Sequence, residues 1–103
     1  MSKLSPVDYV RQHNPDLAEA FQTLRKAAVQ GPLDEPTYEL IVIGALATTG
    51  EEGSFKVHAR RLQALGVSAD ALRQAVMATL AASTTFSQTV AALRWVDEVF
   101  AGQ

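Results

Sequence analysis

Residues 33–83 read LDEPTYELIVIGALATTGEEGSFKVHARRLQALGVSADALRQAVMATLAAS, and the fold turns on the run YELIVIGALAT, Tyr38 to Thr48, near their start. The run is apolar almost all round. That pattern suits a helix buried on every side by its own protomer or by a neighbour, and its β-branched residues equally suit a strand. Helix is preferred because Asp34 and Pro36 form a helix start, the run is long for a strand, and its surroundings are helical. Gly44 would then let another backbone approach closely.

Outward from this run, helical spacing repeats. After Thr48-Thr49-Gly50 comes a helix carrying Phe55, His58, Leu62 and Leu65 at intervals of three, four and three, ending at Gly66. Arg60 and Arg61 sit near its negative end. Ser68 is placed to cap the next helix, which has Asp70 in its first turn, lines one face with Leu72, Ala75, Val76, Thr79 and Leu80, and fades at Ser83-Thr84. The last helix, about Thr85 to Phe100, has two stripes, Phe86/Val90/Leu93/Phe100 and Ala92/Trp95/Val99, so both of its sides need cover. Upstream, Asn14-Pro15-Asp16 is a helix start, with Leu17, Phe21, Leu24 and Ala28 on one face as far as about Gln30, and Gly31-Pro32 as the stop. Residues 5–12 suit a short preceding helical turn. The expectation is an all-α single domain, 1–103, of five to six short helices, with no long heptad run and no internal repeat.

Composition sets the outer bounds. With 103 residues, 48% hydrophobic and 19% charged, the chain suits one packed domain, and its apolar fraction points to some surface covered by a second copy. Nine Lys and Arg against 11 Asp and Glu, with no basic window, argue against nucleic acid or a membrane surface as partner. Zero cysteines remove disulfides, thiolate metal sites and cysteine nucleophiles together. No stretch at the N-terminus resembles a signal peptide, and the apolar run from Leu40 to Ala47 is too short to span a bilayer, so a cytoplasmic protein is expected.

His58 interrupts an apolar stripe between Phe55 and Leu62. Ser54 lies one turn before it, and Glu51 two turns before it on nearly the same face. Imidazole near neutral pH both donates and accepts protons, and a neighbouring carboxylate can orient it. Glu39, at the head of the apolar run, needs a polar partner or water, because a buried lone carboxylate costs several kcal/mol, on the order of a lost charge pair. His58 is a candidate partner, but their meeting depends on how two helices cross. The histidine also suits a structural role, satisfied by Glu39 or a backbone carbonyl. A metal triad of Glu39, Glu51 and His58 lacks any second histidine, and Glu51 and Glu52 suit simple anions at a helix N-terminus. No metal or other cofactor is expected. Ser54 fits packing or substrate contact, and His13, near a helix cap, is most simply solvent-exposed.

These spacings resemble the carboxymuconolactone decarboxylase family, which includes the alkylhydroperoxidase-D-like proteins, over roughly residues 14–100. Its peroxidase branch has a glutamate, eleven residues, then C-x2-C-x3-H, and Glu39, Glu51, Ser54 and His58 occupy those four positions. The resemblance implies an all-α fold, assembly as a trimer or hexamer, and a pocket where the Glu and His helices meet. It does not imply peroxidase activity, since both thiols are replaced. The decarboxylase branch implies instead proton delivery to an enolate-like carbon on a small carboxylated substrate, with His58 and Glu39 as catalytic residues and Glu51, Ser54 and Tyr38 lining the substrate site. Lys56, Arg60 and Arg61 are candidate anion holds. Tyr38 stands where the family often has arginine, which argues against that branch's own lactone. The competing expectation is a ligand-binding or oligomeric interaction protein that has lost the family's redox activity.

Overall fold

The computed structural model describes residues 4–102, so the two ends of the expected 1–103 domain lie outside the described residues. Six helices follow one another: α1 Pro6–His13, α2 Pro15–Ala28, α3 Glu35–Thr49, α4 Glu52–Ala64, α5 Ala69–Leu80 and α6 Phe86–Ala101. They fall into two compact units divided between Leu33 and Asp34.

The first unit is the pair α1 and α2. Ser5 caps α1 by accepting from the Asp8 N–H at 3.1 Å, so residues 5–12 form more than a turn. Asn14 serves both helices: its own N–H donates to the Val10 carbonyl, and its side chain accepts from the Leu17 N–H at 3.0 Å. Pro15 then occupies the first position of α2, where its missing N–H costs nothing. That helix stops at Ala28, two residues before the expected Gln30: the Gln30 N–H bonds to the Ala27 carbonyl only three residues back, a tightened last turn ahead of Gly31-Pro32. Of its apolar side only Ala18 is buried. Leu17, Phe21 and Leu24 remain about half exposed or more, at 55%, 47% and 65%.

The second unit holds α3 to α6, with α3 packed against each of the other three. The apolar run is helix, not strand, and its start is built as the sequence implies. The Asp34 side chain accepts from the Thr37 N–H at 2.9 Å, and hydrogen bonds from Thr37 hold that carboxyl below its usual range. The core joins Ile43 and Ala47 of α3 to Phe55, Ala59 and Leu62 of α4, Leu72 and Val76 of α5, and Ala92, Val96 and Val99 of α6. Phe55 meets Trp95 edge-on, ring centres 5.3 Å apart. Its own protomer does not cover the run on every side: Ile41 is 59% exposed, and Thr37, Leu40, Ile41, Gly44, Ala75, Ala78 and Thr79 line an open apolar groove along α3 and α5. Leu65 and Leu80, placed on core faces by spacing, are both 42% exposed, and Phe86 is 73% exposed, because each sits at a helix end beyond the reach of the packed stripe.

Two devices fix α3. At its C-terminus Gly50 takes φ +74°, a left-handed conformation that closes the helix and lets α4 begin two residues later. Nearby, a chain of hydroxyls ties α3 to α5, and proton counting sets its direction. Thr79 gives its proton to the Val76 carbonyl (2.6 Å), so Thr84 donates to Thr79 (2.6 Å). Thr48 has one proton, shared between Thr84 (2.9 Å) and the Gly44 carbonyl (3.2 Å), and Ser83 stands 3.2 Å from the Thr48 hydroxyl. Gln88 completes the brace: it forms a capping box with Thr85 at the start of α6 and donates to the Thr48 carbonyl at 2.9 Å.

The Thr79 methyl, anchored by this chain, stands 3.1 Å from where a Cβ at Gly44 would lie, and the Ala75 carbonyl oxygen stands at 3.6 Å. Gly44 thus admits the close approach its position in the run implies. Alanine favours a helix interior over glycine by about 1 kcal/mol, but here its methyl would push on a neighbour that is held. Gly44→Ala is therefore expected to stabilise a Thr79→Ser background more than the wild type, by at least about 0.5 kcal/mol in a double-mutant cycle of denaturant melts. Equal effects in both backgrounds would show that Thr79 is free to yield. A Thr84→Val substitution, which leaves Thr79 without its donor and removes the Thr84 contact of Thr48, is expected to lower stability by about 1–3 kcal/mol in the same melts.

Candidate functional site

The turn that joins α3 to α4 decides which side chains meet. Glu39 lies eleven residues before Gly50 and His58 eight after it, heights of about 16 and 12 Å along their helices. Their levels differ by less than one turn, which two long side chains can close. Glu39 also shares a stripe with Ile43 and Ala47, one turn apart each, and all three are fully buried. His58 belongs to the α4 face that presents Phe55 and Leu62 to the same core.

Glu39 and His58 meet. The Glu39 Oε2 and His58 Nδ1 atoms are 2.6 Å apart, with the carboxylate side chain 1% exposed and the imidazole 13%. At this separation one proton lies between them, carried formally by Nδ1 or by the carboxyl. Either way the Nδ1 lone pair is committed, and proton exchange with anything else falls to Nε2. The other carboxylate oxygen, Oε1, faces the Arg61 guanidinium at 3.7 Å, and the same Arg61 nitrogen is 3.4 Å from Nδ1. A buried carboxylate is thus flanked by an imidazole and a guanidinium, as its desolvation requires.

The remaining expected residues are placed less closely. Tyr38 and Ser54 are half-buried neighbours of the pair in sequence, and among the described residues neither side chain makes a hydrogen bond. Glu51 is exposed at the N-cap of α4 and makes no side-chain cap hydrogen bond, whereas Glu52 in the first turn bonds Lys56. Both fit anions at a helix N-terminus. His13 is exposed at the end of α1 against the Tyr9 ring, 4.9 Å between centres. Among the described residues no three His, Cys, Asp or Glu side chains are grouped to hold a metal ion.

The three candidate anion holds separate clearly. The Lys56 ammonium is 2.8 Å from both Glu52 and Glu98, and these hydrogen bonds hold it above the ordinary lysine range. Arg60 is exposed. Only Arg61 reaches the pair. Helical spacing contains that distinction: Arg61 lies about 300° around the helix from His58, one turn on, while Lys56 and Arg60 each lie about 200° away on the far side.

With 0 cysteines the chain has no thiol at Glu51 or Ser54 and no nucleophile for thiol-based peroxide reduction. No helix among the described residues is long and apolar enough to cross a membrane. Comparison with curated proteins gives no match, and neither does comparison with solved structures. The sequence model of the Carboxymuconolactone decarboxylase family matches residues 15–98, most of the chain and the whole of the Glu39 and His58 helices. The chain belongs to the Carboxymuconolactone decarboxylase family.

Proposed function

We propose that this protein is a proton-transferring enzyme of the lyase type, acting on a small carboxylated substrate. The observation that carries the reading is the buried 2.6 Å contact between Glu39 and His58 Nδ1. An imidazole backed by a carboxylate keeps one tautomer and one orientation, and its conjugate acid is stabilised when it forms. Site membership for Tyr38, Ser54 and Glu51 belongs to this proposal, with half-buried Tyr38 and Ser54 the nearer candidates for substrate contact.

The chemistry follows from those two residues. In a substrate whose carboxylate is β to a carbonyl, the bond to the carboxyl carbon breaks, carbon dioxide leaves, and its electron pair stays behind as an enolate. His58, protonated and paired with Glu39, gives its Nε2 proton to that carbon. A C–H bond forms, the ring returns to neutral, and water restores the proton. Glu39 takes no proton from the substrate; it positions the ring and balances the imidazolium.

A homo-oligomeric state is part of the proposal. It is supported by the open apolar groove along α3 and α5 and by exposed Ile41, Met77 and Leu80 in the four-helix unit. The same face favours a second reading, an interaction protein in which Glu39 and His58 serve only packing.

NMR titration of both histidine rings tests the dyad without a substrate. In Glu39→Gln the His58 midpoint is expected to fall, because removal of an anion at 2.6 Å withdraws support from the imidazolium, while the His13 midpoint stays. An unchanged His58 midpoint would sink the coupled pair. Once a turned-over carboxylic acid is found, His58→Gln is expected to lose at least about 100-fold in kcat, in the range of general acid–base effects. Loss of assembly with turnover intact would favour the interaction reading instead.

A further inference from the structure

Resting on the proposed proton transfer, we infer that Arg61 is the specificity residue that receives the substrate, and that it selects a singly charged carboxylate. Its guanidinium stands against both members of the pair, yet completes a hydrogen bond with neither. The approach to Glu39 Oε1, 3.7 Å, is too long. The approach to His58 Nδ1, 3.4 Å, finds a nitrogen whose proton or lone pair is already engaged by Glu39 at 2.6 Å. Arginine can only donate. Only Nη1 faces the pair, so the three N–H donors on Nε and Nη2 are unspent among the described residues, and the side chain is 44% exposed. A guanidinium held in place by charge, open to solvent and with its fork unfilled is the group that takes a carboxylate through two parallel hydrogen bonds.

Charge arithmetic narrows the ligand. With one proton shared, the Glu39 and His58 pair carries a net −1, which repels an arriving anion, and Arg61 brings the cluster to zero. Protonating the pair for catalysis brings the cluster to +1, which a single carboxylate neutralises. A neutral substrate would leave that positive charge unmatched, and a dianion would leave one negative charge over. Neither alternative cation shares the position: Lys56 is bound by Glu52 and Glu98, and Arg60 points to the other side of α4 by helical spacing.

The test is a titration of sodium benzoate, with benzamide as its neutral isostere at constant ionic strength, read on the His58 ring signals. Benzoate is expected to shift them saturably and benzamide not to. Arg61→Met is expected to weaken benzoate binding at least about tenfold; Arg61→Lys should keep part of it, having charge without a fork, and Arg60→Met should bind as wild type. Thermal melts check that the variants are folded, and Arg61→Lys serves if Arg61→Met is not. The inference is overturned if Arg61→Met binds as wild type, if Arg60→Met loses as much, or if benzoate causes no saturable shift in the wild type. Glu39→Gln, run alongside, separates the two failures: a His58 midpoint that still responds leaves the dyad standing without Arg61, and one that does not takes the proposed function with it.

Discussion

The burial of the Glu39 carboxylate is the constraint on which the four-helix unit depends. Glu39 stands on the same stripe as Ile43 and Ala47, with no exposure, so α3 cannot enter the core unless a partner arrives with it. An uncompensated charge in that position costs several kcal/mol, a sizeable part of the roughly 5–15 kcal/mol that holds a small domain together. The partner is delivered by geometry. A left-handed Gly50 and a connection of two residues leave α4 no choice of height, and that height places His58 at the carboxylate. Folding and chemistry therefore make the same demand on the α3 to α4 turn.

The two ends of α3 are braced by different means. Near its start stands the charged cluster of Glu39, His58 and Arg61. Near its end stand Thr48, Thr79, Thr84 and Ser83, joined to Gln88. Hydroxyls and amides do not ionise in the working range of a protein, so this second brace keeps its form whatever the pH. The charged cluster is thereby confined to one end of a helix that touches every other element of its unit. A helix held rigidly at the far end can keep Glu39 in register with His58.

What was legible in the sequence follows the range of the interactions involved. Helix starts are local, and Asp34, Ser68 and Thr85 cap the helices they precede. Glu39 and His58 could be nominated, but their contact depended on a helix crossing that periodicity does not contain. The hydroxyl chain was illegible for the same reason: Thr48 and Thr84 are 36 residues apart, and nothing in either helix's own pattern brings them together. Spacing places apolar residues on a face without saying what covers it. The α3 run is apolar all round, yet Ile41 is exposed, and the Leu17, Phe21 and Leu24 face of α2 is exposed too. Arg61 was within reach of sequence reasoning, since its spacing from His58 differs from those of Lys56 and Arg60.

A buried ion pair is weak grounds for a purely structural role. Replacing such a pair with apolar residues of similar volume is often neutral or stabilising by about 1–4 kcal/mol, and the surrounding side chains, Ile43, Phe55 and Leu62, form a core that could accept one. Stability alone therefore gives little reason to place a carboxylate, an imidazole and a guanidinium together at the edge of that core. Thiol chemistry gives no reason either, because Glu51 and Ser54 stand where the family's peroxidase branch has cysteines. Proton transfer does give one. It needs an imidazole whose orientation is fixed and whose charge can change, which a carboxylate at 2.6 Å provides and an apolar side chain cannot. Glu51 and Ser54 in place of the thiols exclude the thiol step and leave Glu39 and His58, the residues of the proposed proton transfer, so the absence of cysteine narrows the function of this chain without emptying the site.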